Sequence, residues 1–255
     1  MNNYMIPNLV KACEIMKILA DRPQGISATE AENLPQIPRT TAFRILKTLC
    51  SQCMAEKRGT LFFAGPGLIQ TGLNSLRSLE IRSLSIPFLS ELAVKTHFTA
   101  HLAIPSGWQS LILEVHDSPN PVRVASRSGT TVPLHCSSTG KIFLAYRYEQ
   151  ELEDYFSATS PEKKTGNTIV TLSEMQKEIE RIKSDGFAVD NHEFHADVWC
   201  LAAPVQDSAG QVVAAIGVTG PAAQSNNQKK ADICMYVKKA AVELSAELGY
   251  IAQSN

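Results

Sequence analysis

The residues with the most capacity for chemistry crowd into one stretch, Asp190-Asn-His-Glu-Phe-His-Ala-Asp-Val-Trp-Cys200. His, Cys, Asp and Glu are the side chains that ligate divalent metals. Their spacing here matches no standard zinc pattern. His192-Glu-Phe-His195 is one residue short of HExxH, so it does not place two imidazoles on one helix face. Folding would have to bring in His97, His101 or the His135-Cys136 pair to complete a site. The expectation is a polar pocket rim with buried, hydrogen-bonded His, and no bound metal. The alternative is a metal-dependent sensor or enzyme built on 190–200. Cys50-Ser-Gln-Cys53 is a CxxC that ends a helix with no second pair nearby, which favours packing over zinc or redox chemistry. Cys200 opens an apolar strand, and no base is assignable to it. GxSxG, Walker and GxGxxG motifs are absent from the sequence. No catalytic residue and no cofactor is expected.

A second set of residues suits a different task. Arg39, Thr40, Thr41, Phe43, Arg44 and Lys47 lie near the start of one amphipathic segment, with Lys57 and Arg58 just beyond it. In that segment Ala42, Ile45, Leu46 and Leu49 form one apolar stripe, opposite Thr40, Arg44, Lys47 and Ser51. Arg presents a bidentate fork to guanine, and Thr bonds bases or phosphates. Lys47, Lys57 and Arg58 suit phosphates, which set register.

The elements around this set agree with that use. Leu9, Ala12, Cys13, Met16, Leu19 and Ala20 predict a helix over 7–21, ended by Pro23 and Gly25. Ser27 and Glu30 form a capping box that opens a short second helix through Asn33. Pro35-Gln-Ile37 is a tight break, and Pro38 suits the first position of the third helix. Lys57-Arg-Gly-Thr60 predicts a turn between two short strands. Helix, turn, helix and wing together predict a winged helix-turn-helix over 1–66.

Composition fits a globular chain with a basic head. Of 255 residues, 44% are hydrophobic and 19% charged, enough to bury a core. Residues 1–64 hold eight Lys/Arg and five Asp/Glu, so they carry +3; the remaining sixteen basic and twenty acidic residues carry −4. A basic module on an acidic body suits a polyanion partner. No apolar run approaches the ~20 residues that span a bilayer, and no secretory signal is evident. A cytoplasmic protein with reduced cysteines and no membrane partner is expected.

Beyond the head, a leucine stripe (Ile69, Leu73, Leu76, Leu79, Leu84) predicts a linker helix over 67–86, with Pro87 breaking it and a further helix over 88–96. Residues 87–255 alternate strand and helix patterns. Strands are expected at 98–104, 109–116, 122–126, 187–190, 198–205 and 212–219. Helices are expected at 140–146, 172–183 and 230–249. Hairpin-joined strands with helices gathered to one side give an α+β domain. His101, sharing a strand with Thr99, is a candidate pocket donor.

Four stretches carry a family resemblance: Ile37-Pro-Arg-Thr-Thr-Ala-Phe-Arg-Ile-Leu-Lys-Thr-Leu49, Pro133-Leu-His-Cys-Ser-Ser-Thr-Gly-Lys-Ile-Phe-Leu-Ala145, Gly186-Phe-Ala-Val-Asp190, and Cys200-Leu-Ala-Ala-Pro-Val205 with Val213-Ala-Ala-Ile-Gly-Val-Thr-Gly-Pro221. In that order, over residues 7–250, the chain resembles the isocitrate-lyase-regulator (IclR) type of bacterial transcriptional regulator. The resemblance implies a winged helix-turn-helix joined by a linker helix to a GAF/PAS-like effector-binding domain. It implies dimers or tetramers on palindromic double-stranded DNA operators, and a repressor of a catabolic operon answering to a small organic acid. The effector pocket then maps to Ser138 and Thr139 in the loop before Gly140, and to Asp190, Cys200, Gly217 and Thr219. His101 and Val124 are expected beside them. Relatives often carry hydroxyls at both 217 and 219; Gly217 has none, which implies more room and an effector bulkier than a small keto acid. Asp197 stands where many relatives have glycine.

Overall fold

The computed structural model of the chain describes residues 4–32, 37–77, 79–224 and 226–251. It divides into two compact units, Met1–Leu79 and Glu80–Asn255.

The first unit is three helices and a small sheet. Helix α1 (Pro7–Asp21) and α3 (Arg39–Ser51) contact each other, with the short α2 (Ala28–Glu32) against α3. Ile15 and Leu19 of α1 meet Ala42, Ile45, Leu46 and Leu49 of α3 in one core. Burial of each Leu or Ile contributes about 1.5–3 kcal/mol, the main force fixing these helices. The capping box forms as expected. Ser27 Oγ accepts from the Glu30 N–H at 3.1 Å, and Glu30 Oε2 accepts from the Ser27 N–H at 2.7 Å. The end of α2 at Asn33 and the break at Pro35-Gln36 lie outside the described residues.

The wing is strands β2 (Ala55–Arg58) and β3 (Leu61–Ala64), antiparallel, joined by Gly59-Thr60. Gly59 has φ +61, the left-handed region a two-residue hairpin turn requires. Lys57 and Arg58 therefore end a strand; they do not form the turn. A two-residue strand β1 (Ile26–Ser27) adds to β3 on its other edge. Pro38 is the N-cap of α3, one position earlier than expected, with ψ 143 that places it outside the helix.

The connector differs from the expected single helix over 67–86. Helix α4 (Pro66–Arg77) belongs to the first unit and α5 (Glu80–Thr96) to the second. Pro87 lies inside α5 and does not break it. A proline removes one backbone bond; the buried residues Ser85, Leu89, Leu92, Ala93 and Thr96 anchor both sides of it. Tertiary packing outweighs the local cost.

The second unit is a six-stranded antiparallel sheet, ordered β6-β5-β4-β9-β8-β7. The strands are β4 (Thr99–Ser106), β5 (Gln109–His116), β6 (Thr131–Pro133), β7 (Ala188–Asn191), β8 (Val198–Gln206) and β9 (Val212–Pro221). The segment 122–126, expected as a strand, is irregular. Its Val124 carbonyl accepts from the Thr99 hydroxyl at 3.0 Å, a side-chain bond in place of a ladder. Pairing sets two faces. Thr99, His101 and Ala103 align with Thr219, Gly217 and Ala215, and on through Cys200 and Ala202 to Asp190 and Ala188. Helices α6 (Ser138–Tyr146), α7 (Leu152–Thr159) and α8 (Leu172–Asp185) share a core with the alanines of this face. Helices α5 and α9 (Asn227–Glu247) pack on each other and on strands of the sheet. Helix α7 was not anticipated, and α6 begins two residues early, so Ser138 and Thr139 are helical and not loop.

Lys141 of α6 is buried, its side chain 1% exposed. Its ammonium bonds Glu193 Oε1 at 2.6 Å, Glu178 Oε1 of α8 at 2.9 Å and the Val189 carbonyl of β7. Arg181 also holds Glu178, at 2.8 Å. Removing the lysine therefore strands Glu193. Lys141→Met is expected to lower unfolding free energy in urea by about 3 kcal/mol or more; an unchanged midpoint would show that this ion cluster carries little of the unit's stability.

Candidate functional site

The outward face of α3 carries the polar side chains of the head. Arg39, Thr40, Phe43, Arg44 and Lys47 are exposed and Thr41 is half-buried. The Lys47 ammonium lies 5.7 Å from the centre of the Phe43 ring. On the wing, Lys57 lies 5.8 Å over Phe62, and Arg58 lies 5.0 Å over Phe63 while pairing with Glu56 at 2.9 Å. The helix, turn and wing thus present cations and hydroxyls on elements fixed by the core.

In the second unit the sheet face and the start of α6 enclose a cavity of about 460 Å³. His101, Val124, Ser138, Thr139, Asp190, Cys200 and Thr219 all line it. Strand pairing explains the convergence: Asp190 faces Cys200, Cys200 faces Thr219, and His101 lies one strand further on. Gly217 is the exception. A Cβ there would lie 2.4 Å from the Leu201 carbonyl oxygen and 2.9 Å from the Ala202 Cβ. Glycine at 217 serves a close approach of β8 and β9, so it does not enlarge the pocket as expected. Sequence reasoning missed Arg127, Thr130, Thr131 and Val132 on the rim, while Phe194, His195 and Val198, which also line the cavity, fall within the 190–200 stretch expected as a pocket rim. The rim segment lacks any period, so only its hydroxyls and Arg127 hinted at it.

One wall is the first turn of α6. Ser137 is its N-cap: its hydroxyl accepts from the Gly140 N–H at 3.1 Å and donates to the Pro133 carbonyl at 2.7 Å. A Cβ on Gly140 would lie 2.4 Å from the Leu134 Cα, so glycine lets this turn sit down on the chain before it. Among the described residues the N–H groups of Ser138 and Thr139 have no bonding partner. Free N–H groups at a helix start favour anions. The Thr139 hydroxyl bonds Ser110 Oγ at 2.8 Å.

The opposite wall is titratable but not nucleophilic. Asp190 Oδ1 accepts the N–H of Glu193 at 2.7 Å and of Phe194 at 3.3 Å. Burial nevertheless raises its pKa from 3.8 to about 6. Cys200 donates to the Thr219 hydroxyl at 3.1 Å, and burial with the nearby Asp190 pushes its thiol well up. A thiol so held is inert. Burial lowers His101 to about 4, so its imidazole is neutral at pH 7, and its buried Nδ1 has no bonding partner.

The 190–200 residues diverge rather than converge on one point. Glu193 turns to Lys141, and His192 Nδ1 pairs with the Ala196 carbonyl at 3.0 Å. His195 and Asp197 are exposed and 4.0 Å apart. His135 is taken by the Tyr155 hydroxyl and the Glu162 carbonyl, each at 3.1 Å. Burial raises Cys136 to about 12. No group of three or more His, Cys, Asp or Glu able to hold a metal occurs among the described residues.

Comparison with known proteins decides the family. The family model "Bacterial transcriptional regulator IclR C-terminal" matches residues 73–246, and "IclR helix-turn-helix domain" matches residues 8–59. The chain belongs to the IclR family. The HTH-type transcriptional repressor AllR of Salmonella typhi is 27% identical over 243 residues, covering 94% of this chain and 89% of that protein. AllR of Escherichia coli K12 is also 27% identical, covering 94% and 90%. The solved structure of the Thermotoga maritima IclR is 28% identical, with TM-score 0.72 over 96% of this chain and 100% of that one. An IclR homolog from Microbacterium hydrocarbonoxydans, complexed with 4-hydroxybenzoate, shares the fold at 19% identity, with TM-score 0.79 over 94% and 97%. This IclR-family chain is a DNA-binding transcriptional regulator and not an enzyme. No helix among its described residues is long and apolar enough to cross a membrane.

Asp190 has a raised folded pKa, so its contribution to stability is fully present below the ordinary 3.8 and is lost as pH rises through about 6. Asp190→Asn keeps an acceptor for the two N–H groups and removes the buried charge. Thermal unfolding is expected to show the variant more stable than wild type at pH 8, by at most about 3 kcal/mol, with the gap closing toward pH 4. A variant less stable at pH 8 would contradict the burial assigned to Asp190.

Proposed function

We propose that this regulator is a repressor released from, or held on, a palindromic operator by a small organic acid bound in the cavity. The cavity beneath the free N–H groups of Ser138 and Thr139 is the observation that carries the reading. A carboxylate there would meet two backbone donors at a helix start, and Arg127 lies on the same rim. The sheet wall supplies Thr219, Cys200, Asp190 and His101 for the remainder of the molecule, with Val124 on the rim. Small-molecule sites commonly enclose ~300–1,000 Å³, and about 460 Å³ accommodates an acid larger than a three-carbon one. The relative complexed with 4-hydroxybenzoate supports the organic-acid class. Two or four copies would read the two half-sites, as the palindrome requires. Arg39, Thr40, Thr41, Phe43 and Arg44 would meet base edges, and Lys47, Lys57 and Arg58 phosphates. Control needs the acid to bind the DNA-competent and incompetent states unequally.

The test is a band shift of the full chain on the DNA upstream of its own gene, at one stated salt concentration. A discrete complex that resists competitor DNA is expected, weakened by Arg44→Ala about ten-fold or more. An organic-acid panel run in the same assay should change the shift, and Thr219→Val should blunt that response while leaving DNA binding intact. Unchanged affinity in Arg44→Ala would contradict the placing of α3, and no acid response would contradict the cavity reading.

A further inference from the structure

Seven side chains of α3 face outward or lie exposed on its flanks: Arg39, Thr40, Phe43, Arg44, Lys47, Thr48 and Ser51. Phe43 alone among them carries no hydrogen-bonding group. It is 44% exposed, while the apolar stripe of the same helix is buried. It is the fifth residue of α3, within the first two turns that approach base edges in a helix-turn-helix. The Lys47 ammonium lies 5.7 Å from its ring centre, which steadies the ring without covering it. Thr40, three residues earlier on the helix, brings a methyl group to the same side.

The major-groove floor is almost entirely hydrogen-bonding edge. Guanine and adenine show acceptors, cytosine and adenine show donors, and the thymine methyl is the apolar exception. A phenyl ring pressed on guanine, adenine or cytosine would bury those groups unpaired and weaken binding. On a thymine methyl it buries carbon against carbon. We propose that Phe43 reads a thymine methyl, and that each half-site of the operator carries a thymine at the base pair it faces. The inference rests on the DNA-contacting role of α3. It makes Phe43 a specificity-determining residue and not a cushion for Lys47.

Uracil tests this cleanly, because it lacks only the methyl and keeps every hydrogen-bonding group of thymine. The full chain is first used to select its site from a random duplex library. Each thymine of the selected site is then replaced by uracil, one at a time. Wild type is expected to bind about four-fold more weakly at one position per half-site, the worth of one buried carbon. Phe43→Ala is expected to bind the thymine and uracil duplexes equally, and Phe43→Leu to discriminate in between. Far-ultraviolet circular dichroism confirms that each variant is folded; the wild-type uracil scan stands without them. A wild type indifferent to uracil everywhere overturns the proposal, as does a Phe43→Ala variant that still discriminates. Failure to enrich any site overturns instead the α3 reading on which it rests.

Discussion

A single buried ammonium organises the second unit. Moving a lysine out of water costs several kcal/mol, recovered only if its partners are close and complete. Lys141 is held by two carboxylates and a carbonyl drawn from α8, β7 and the turn after β7, with Glu193 Oε2 left buried and without a partner. It also sits in the first turns of α6, two residues beyond Thr139. The start of that helix forms one wall of the cavity, and Asp190, next to the carbonyl Lys141 holds, forms the other. The charge cluster therefore sets the distance between the two walls. The arrangement leaves the N–H groups of Ser138 and Thr139 and the Nδ1 of His101 without internal partners. Buried polar groups are rarely left so, and a bound molecule with complementary ends would satisfy them.

The head follows a different economy. Its small core is a stripe on α3 packed on α1, α2 and a three-stranded sheet. The polar side chains of α3 are thereby exposed, apart from the half-buried Thr41, and strand β2 of the wing ends in Lys57 and Arg58. Position is what the core supplies to these side chains. Phe62 and Phe63 lie under the wing cations and hold their stems in place.

The sequence was most legible where period and cap chemistry agree. The bounds of α1, the Ser27–Glu30 box and the strand at 109–116 follow from local rules alone, but the α1 stripe does not: Leu9, Cys13 and Ala20 are exposed, and Ile15 is buried beside Leu19. The site residues Asp190, Cys200 and Thr219 came from resemblance, and strand pairing explains why they meet. Local rules failed where tertiary contacts decide. Pro87 reads as a breaker, yet burial of Leu89, Leu92 and Ser85 carries the helix through it. Gly217 reads as spare room, yet it is an approach of two backbones. The rim at 124–132 bonds through side chains and turns, for which sequence has no period to show. The 190–200 stretch holds metal-ligating residue types at spacings of no zinc pattern, and in the structure Glu193 and His192 turn to partners of their own.

The central claim is that the cavity between α6 and the sheet is where an acid acts. The most direct measurement is the electron density of the chain crystallised with an acid that alters its DNA band shift. The account predicts density in this cavity, with a carboxylate within hydrogen-bonding distance of the Ser138 and Thr139 N–H groups and the remainder reaching the sheet wall. Density for the acid elsewhere, with this cavity holding only water, would contradict it.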